Sequence, residues 1–119
     1  HRMGGYKVQG REERQRKKLL ADAQAVERAG AFCVVLEAIP AALATEITRT
    51  LRIPTIGIGA GVNCDGQVLV IHDLLGISGA FRPKFVKQYA NLEVAIAKAV
   101  TTYLSEVKKK RFPTAKHSF

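Results

Sequence analysis

No run of about 18 apolar residues occurs in the 119-residue chain, so no segment reads as a transmembrane helix. The two cysteines, Cys33 and Cys64, are too few for a disulfide framework, and the four-ligand spacing of a zinc site is absent. Cysteine usage of this kind is expected of a reduced, intracellular protein. The first residues are polar and glycine-rich, unlike the layout of a secretory signal. There is no internal repeat and no low-complexity segment. Acidic residues are scarce: 10 Asp plus Glu face 19 Lys plus Arg, a formal net charge of +9.

With 47% hydrophobic and 24% charged residues, the composition is that of a globular protein, and the length allows one domain at most. Much of the positive charge lies in two blocks, Arg11 to Lys18 and Lys108 to Arg111. Such blocks can mark nucleic-acid binding. Here no aromatic residues interleave with them as a stacking platform requires, and Glu12 and Glu13 dilute the first. Both blocks fall on expected helices with an apolar opposite face, so they read as solvated faces. Neither a nucleic acid nor a membrane is expected as partner. The positive field would still favour an anionic substrate.

Two apolar runs organise the chain. Val34-Val35-Leu36-Glu37-Ala38-Ile39-Pro40 reads as a strand ending on a carboxylate, with a helix opening behind it. Pro54-Thr55-Ile56-Gly57-Ile58-Gly59-Ala60-Gly61 is of the same kind. In α/β architectures that end of a strand is where chemistry sits.

The supporting elements follow from periodicity. Leu19, Leu20, Ala23 and Val26 share a face and predict a helix over 12–29, stopped by Gly30. Ala31 to Glu37 lacks polar alternation, so a strand buried on both faces is expected, as in parallel sheets. Pro40 suits a helix start, and Leu43, Ile47 and Leu51 form its apolar stripe. Ile53-Pro54 ends it. Thr55 to Gly59 completes a βαβ unit with an expected right-handed crossover. A loop over 61–66 leads to the apolar run 67–72, for which we favour strand over a buried helical turn. Residues 74–82 read as a glycine-spaced connector. Pro83 then opens a long final helix, with Phe85, Tyr89, Leu92, Ile96, Ala99, Tyr103 and Val107 stepping by three or four. Its basic end, Lys108 to Arg111, complements the helix dipole. The fold class expected is α/β with parallel strands.

Glu37 is the leading candidate for chemistry. A carboxylate at the end of a buried strand loses hydration, which raises its pKa toward that of a usable base. The alternative is that Glu37 caps the helix beginning near Pro40, and the residues alone leave both readings open. The glycines at 57, 59 and 61 fail the GxGxxG pattern, because Val62 stands where the third glycine should be. They read instead as a close backbone approach to a ligand or a tight strand-to-loop turn. His72-Asp73 reads as a structural pair rather than a proton relay. Asp65 alone is poor evidence for a metal.

Together, several segments resemble the ketopantoate hydroxymethyltransferase family. They are Gly4-Gly5-Tyr6-Lys7-Val8-Gln9-Gly10-Arg11, Val35-Leu36-Glu37 with Pro40, Ile53 to Gly61, and Asp65-Gly66-Gln67-Val68-Leu69-Val70 through His72-Asp73. His117-Ser118 after Pro113 fits the family's tail. The resemblance runs through nearly the whole chain in order. It implies a (βα)8 barrel of about twice this length, with residues 1–119 as one partial barrel domain carrying the last three strands or so and a long C-terminal helix. It further implies transfer of a hydroxymethyl group from 5,10-methylenetetrahydrofolate to 3-methyl-2-oxobutanoate, giving ketopantoate for pantothenate synthesis. Glu37 matches the family's glutamate base, and Ile58, Val68 and Val70 match positions lining the pocket for the branched alkyl end of the substrate. The family's Mg²⁺ ligands and its substrate-gripping lysine belong to the N-terminal half, so no metal ligand is expected in this chain. The chain opens abruptly at His1, in keeping with that expectation, and alone it is expected to be inactive. Homo-oligomers are expected, in the cytoplasm, or the mitochondrion for a eukaryotic source. The rival expectation is an inactive fragment that folds only with its missing half or with other copies.

Overall fold

The computed structural model describes residues 8–77, 79 and 81–119. The expected loop over 1–7 lies outside them. The chain divides into two compact units. Of the described residues, the first holds 8–69 with Pro83–Val86, and the second holds Val70 onward with that short segment left out.

In the first unit, α1 (Glu13–Arg28), β1 (Val34–Glu37), α2 (Ala41–Thr50), β2 (Thr55–Ile58) and β3 (Gly66–Gln67) follow one another. The three strands form a parallel sheet in the order β1-β2-β3. The α/β class with parallel strands is thus as expected. The core lies between the sheet and the two helices. Ala23 of α1, Leu36 of β1 and Leu43, Ala44 and Ile47 of α2 meet there with Ile39, Leu51 and Ala60. Leu43 and Ile47 are each 1% exposed, and burying such a side chain contributes about 1.5–3 kcal/mol. Val26, expected on the same stripe, is 41% exposed. It lies on the last turns of α1, past the part that meets the core.

Register shows which face each strand residue takes. Val34, Val35, Leu36 and Glu37 pair with Thr55, Ile56, Gly57 and Ile58. Leu36 is buried, whereas Val35 and Glu37 are exposed, so only the helix-facing side of β1 is covered. This corrects the expectation of burial on both faces. The physical reason is that the core formed with α1 and α2 lies on one side of the sheet, while on the other Val35 and Glu37 are exposed and Ile56 and Ile58 half-buried. Paired residues of parallel strands share a face, so Val35, Glu37, Ile56 and Ile58 form an open, largely apolar sheet face.

The second unit carries α3 (Ile71–Leu75), α4 (Leu92–Lys108) and a 3₁₀ turn (Ala115–His117). Two expectations are corrected here. The run 67–72 is not a strand: β3 ends at Gln67 and α3 begins at Ile71. β2 ends at Ile58, so Val68, donating to the Gly57 carbonyl at 3.0 Å, finds the last ladder partner. The final helix does not open at Pro83 but at Leu92. Pro83 to Val86 forms a turn closed by the Val86 N–H on the Pro83 carbonyl (3.0 Å). The N–H groups of Tyr89 and Glu93 go to the carbonyls of Leu74 and Gly76 (2.8 and 3.0 Å), so the helical ladder starts only beyond them. At the far end, Phe112 lies 5.6 Å from the Tyr103 ring and 5.2 Å from that of His117.

Candidate functional site at the strand ends

β1 ends on Glu37, and its Cα partner on β2 is Ile58. Val68 follows β3 one residue beyond the Gly57–Gln67 pair, so in register it comes level with Ile58. Continuing the alternation from Gly66, which pairs with Ile56, puts Val68 on the open face as well. One carboxylate and two apolar side chains therefore share the carboxyl edge of the sheet. Val70, the fourth expected site residue, is the N-cap of α3 and belongs to the second unit.

Glu37 does not cap the helix behind it. The N-cap of α2 is Pro40, with no side-chain cap bond. That settles the capping alternative against it and leaves the carboxylate exposed on the open face. The burial on which its expected activation rested is not supplied by the described residues of the first unit.

The chain leaves each strand end by a strained or glycine turn. Ala38, directly after Glu37, has φ of 51°. Gly59 and Gly61 have φ of 64° and 88°, which bears out the strand-to-loop turn reading of the glycine run. A Cβ on Gly59 would lie 2.9 Å from two ring atoms of Phe85, and one on Gly61 would lie 2.5 Å from the Ala41 Cβ. Gln67 donates from Nε2 to the Gly61 carbonyl (2.9 Å) and steadies this turn. The importance of Phe85 and Gln67 was not legible beforehand. Phe85 matched a helical stripe, and Gln67 sat in an ambiguous apolar run.

Asp65 is a brace rather than a metal ligand. Its Oδ2 accepts from the N–H and the hydroxyl of Thr55 (2.8 and 3.0 Å), and its own N–H donates to the Thr55 hydroxyl oxygen (3.3 Å). Thr55 is fully buried, and with its one hydroxyl proton committed to Asp65, the 2.8 Å contact to Thr48 has the Thr48 hydroxyl as donor. The backbone bond from Thr55 first, then its hydroxyl, holds the Asp65 carboxyl below the usual carboxylate range. Among the described residues no three His, Cys, Asp or Glu side chains are grouped to hold a metal ion. They do not fit a magnesium site.

Three basic residues of α1 are paired, two of them within the helix and Arg16 also with α2. Arg16 bonds Glu46 and Glu13, Lys17 reaches Glu13 at 3.7 Å, and Lys18 reaches Asp22 at 2.5 Å. No described helix is long and apolar enough to cross a membrane.

A family model described as ketopantoate hydroxymethyltransferase matches residues 1–115. The chain belongs to the ketopantoate hydroxymethyltransferase family. Among curated relatives, the 3-methyl-2-oxobutanoate hydroxymethyltransferases of Geotalea uraniireducens and Geotalea daltonii are each 65% identical to it over 119 residues. That of Geobacter sulfurreducens is 62% identical. Each alignment covers all of this chain and 45% of the relative, so the chain spans less than half the length of these proteins. The family is one of transferases by name, and the resemblance drawn from the sequence is upheld.

Proposed function

We propose that residues 1–119 are one partial domain, the C-terminal part of a (βα)8 barrel, and that the complete protein makes ketopantoate. The hydroxymethyl group would come from 5,10-methylenetetrahydrofolate and pass to 3-methyl-2-oxobutanoate, a step of pantothenate synthesis in the cytoplasm by a homo-oligomer. The observation that carries this reading is the placement of Glu37 at the carboxyl end of a parallel strand, beside Ile58, on an uncovered sheet face.

In the proposed reaction Glu37 takes the proton from C3 of the oxo acid. The electron pair left behind forms the new C–C bond to the folate-borne methylene carbon as the first of its two C–N bonds breaks; water then supplies the hydroxyl as the second C–N bond breaks, and the C3 proton and the remaining water proton end on the two folate nitrogens. Ile58 and Val68 would receive the branched alkyl end by apolar contact. The part assigned to Val70 rests on the resemblance alone. A general base at this step contributes about 10²–10⁴-fold.

The same sheet supports a second reading, that the chain works only in association. Val35 and Val68 are 54% and 47% exposed on the open face, and β1 and β3 are sheet edges. Parallel sheets are otherwise covered on both faces, and bare edges invite pairing. One experiment addresses both readings. Ketopantoate formation is measured for this chain alone and after co-expression with the part of the Geotalea uraniireducens relative that it does not match. We expect activity only in the second case, reduced at least about 100-fold by Glu37→Gln. Full activity in the Glu37→Gln complex overturns the assignment of the base. Activity of the chain alone overturns the need for a partner.

A further inference from the structure

Ala38 is one of the two non-glycine residues with positive φ among the described residues, and it directly follows Glu37. An L-residue other than glycine enters the left-handed region against steric resistance, and it stays there only where its surroundings over-determine it. Here they do. The Ala38 N–H donates to the Ile58 carbonyl at 2.9 Å, and the Ala38 carbonyl accepts from the Gln9 N–H at 3.0 Å. Both polar groups of the strained residue are committed, one to the neighbouring strand and one to the segment ahead of α1.

The consequence shows in the side-chain alternation. Leu36 lies on the helix side of the sheet, and Glu37 lies on the open side. Continued pleating would put residue 38 on the helix side and residue 39 on the open side. Instead Ile39, 7% exposed, packs in the same core cluster as Leu36. The left-handed residue reverses the alternation immediately after Glu37. Glu37 thereby becomes the last residue of the open face, fixed by ladder register before it and, behind it, by a residue whose N–H and carbonyl are both hydrogen-bonded.

We propose that Ala38, clamped between Ile58 and Gln9, is a positioning residue that fixes the Glu37 carboxylate at the strand end. This rests on the reading of Glu37 as the base. A glycine would take the same turn without strain. The methyl group removes the freedom that glycine would give the backbone carrying the carboxylate.

The test uses the complex of this chain with the unmatched part of the Geotalea uraniireducens relative. The readout is exchange of the C3 proton of 3-methyl-2-oxobutanoate in deuterated water, followed by proton NMR, which needs no folate. Ala38→Gly is expected to raise the unfolding midpoint of the complex while slowing exchange about tenfold at unchanged half-saturation by the oxo acid. Ala38→Asn, which also tolerates the left-handed region, is expected to keep the rate within about twofold. In a Glu37→Gln background the glycine substitution is expected to have no further effect, because the two act as one unit. Wild-type exchange by Ala38→Gly overturns the positioning role, as does an equal loss with and without Glu37. Rapid hydrogen exchange at the Gln9 and Ala38 amides overturns the clamp, whatever the activity. A wild-type complex that exchanges no C3 proton overturns the reading of Glu37 itself, a result distinct from the others.

Discussion

Replacing Gly59 by alanine should cost far more than the same change at Gly30, although both are left-handed glycines, with φ of 64° and 91°. The backbone penalty for an L-residue there is about 1–2 kcal/mol at either site. At Gly30 nothing lies within 4 Å of the new methyl group, so the backbone penalty is the whole effect. At Gly59 the methyl would sit 2.9 Å from the Cδ1 and Cγ atoms of Phe85 and 3.3 Å from its Cβ. The half-buried ring must retreat by about half an ångström, and such overpacking costs a further ~1–3 kcal/mol. The total for Gly59→Ala is then about 2–5 kcal/mol, a large share of the 5–15 kcal/mol typical of a domain. Urea unfolding of the purified chain, followed by circular dichroism, measures both variants. The double variant Gly59→Ala with Phe85→Ala should recover the contact penalty, leaving the pair of changes less than additive. Equal midpoints for Gly59→Ala and Gly30→Ala would refute the packing of Phe85 over the strand end.

Acid should expose the Asp65 brace. Its native carboxyl titrates below the ordinary 3.8, so the unfolded chain takes up the proton first. The stability it contributes is full above about pH 5, and it is lost as pH falls through the native value. Asp65→Asn should therefore lower the urea midpoint at pH 7 and by progressively less as pH falls below the ordinary 3.8, and parallel midpoint curves would count against the brace. On the open sheet face, Val35→Lys should shift the gel-filtration profile of the concentrated chain toward monomer without lowering its unfolding midpoint. An unchanged profile would mean that this face is not where copies associate.

The helices α1 and α2 and the strands β1 and β2 were legible to within a residue at each helix end and at the end of β2, because local signals agree there. Apolar spacing, a glycine or proline stop and β-branched runs all point the same way. The placement of two candidate residues was legible to the same degree: Glu37 and Ile58 stand at the ends of β1 and β2. The misreadings lie where one local pattern suits two structures. Residues 67–72 are apolar in either a strand or a helix, and only the end of β2 at Ile58 decides that the ladder stops. Phe85 and Tyr89 keep helical spacing with Leu92, yet their segment is claimed by hydrogen bonds to Leu74 and by packing on Gly59.

By itself the sequence determined the α/β class, the two strand-end motifs and the family, because these are carried by residue type and order along the chain. Tertiary structure alone decided what depends on neighbours distant in sequence. It decided that Val35 and Glu37 lie on the exposed side of the sheet and that Asp65 braces Thr55. It also decided that Ala38 is bent between Gln9 and Ile58. No periodicity encodes such pairings, because a hydrogen bond or a covered face exists only once the partner has been brought alongside.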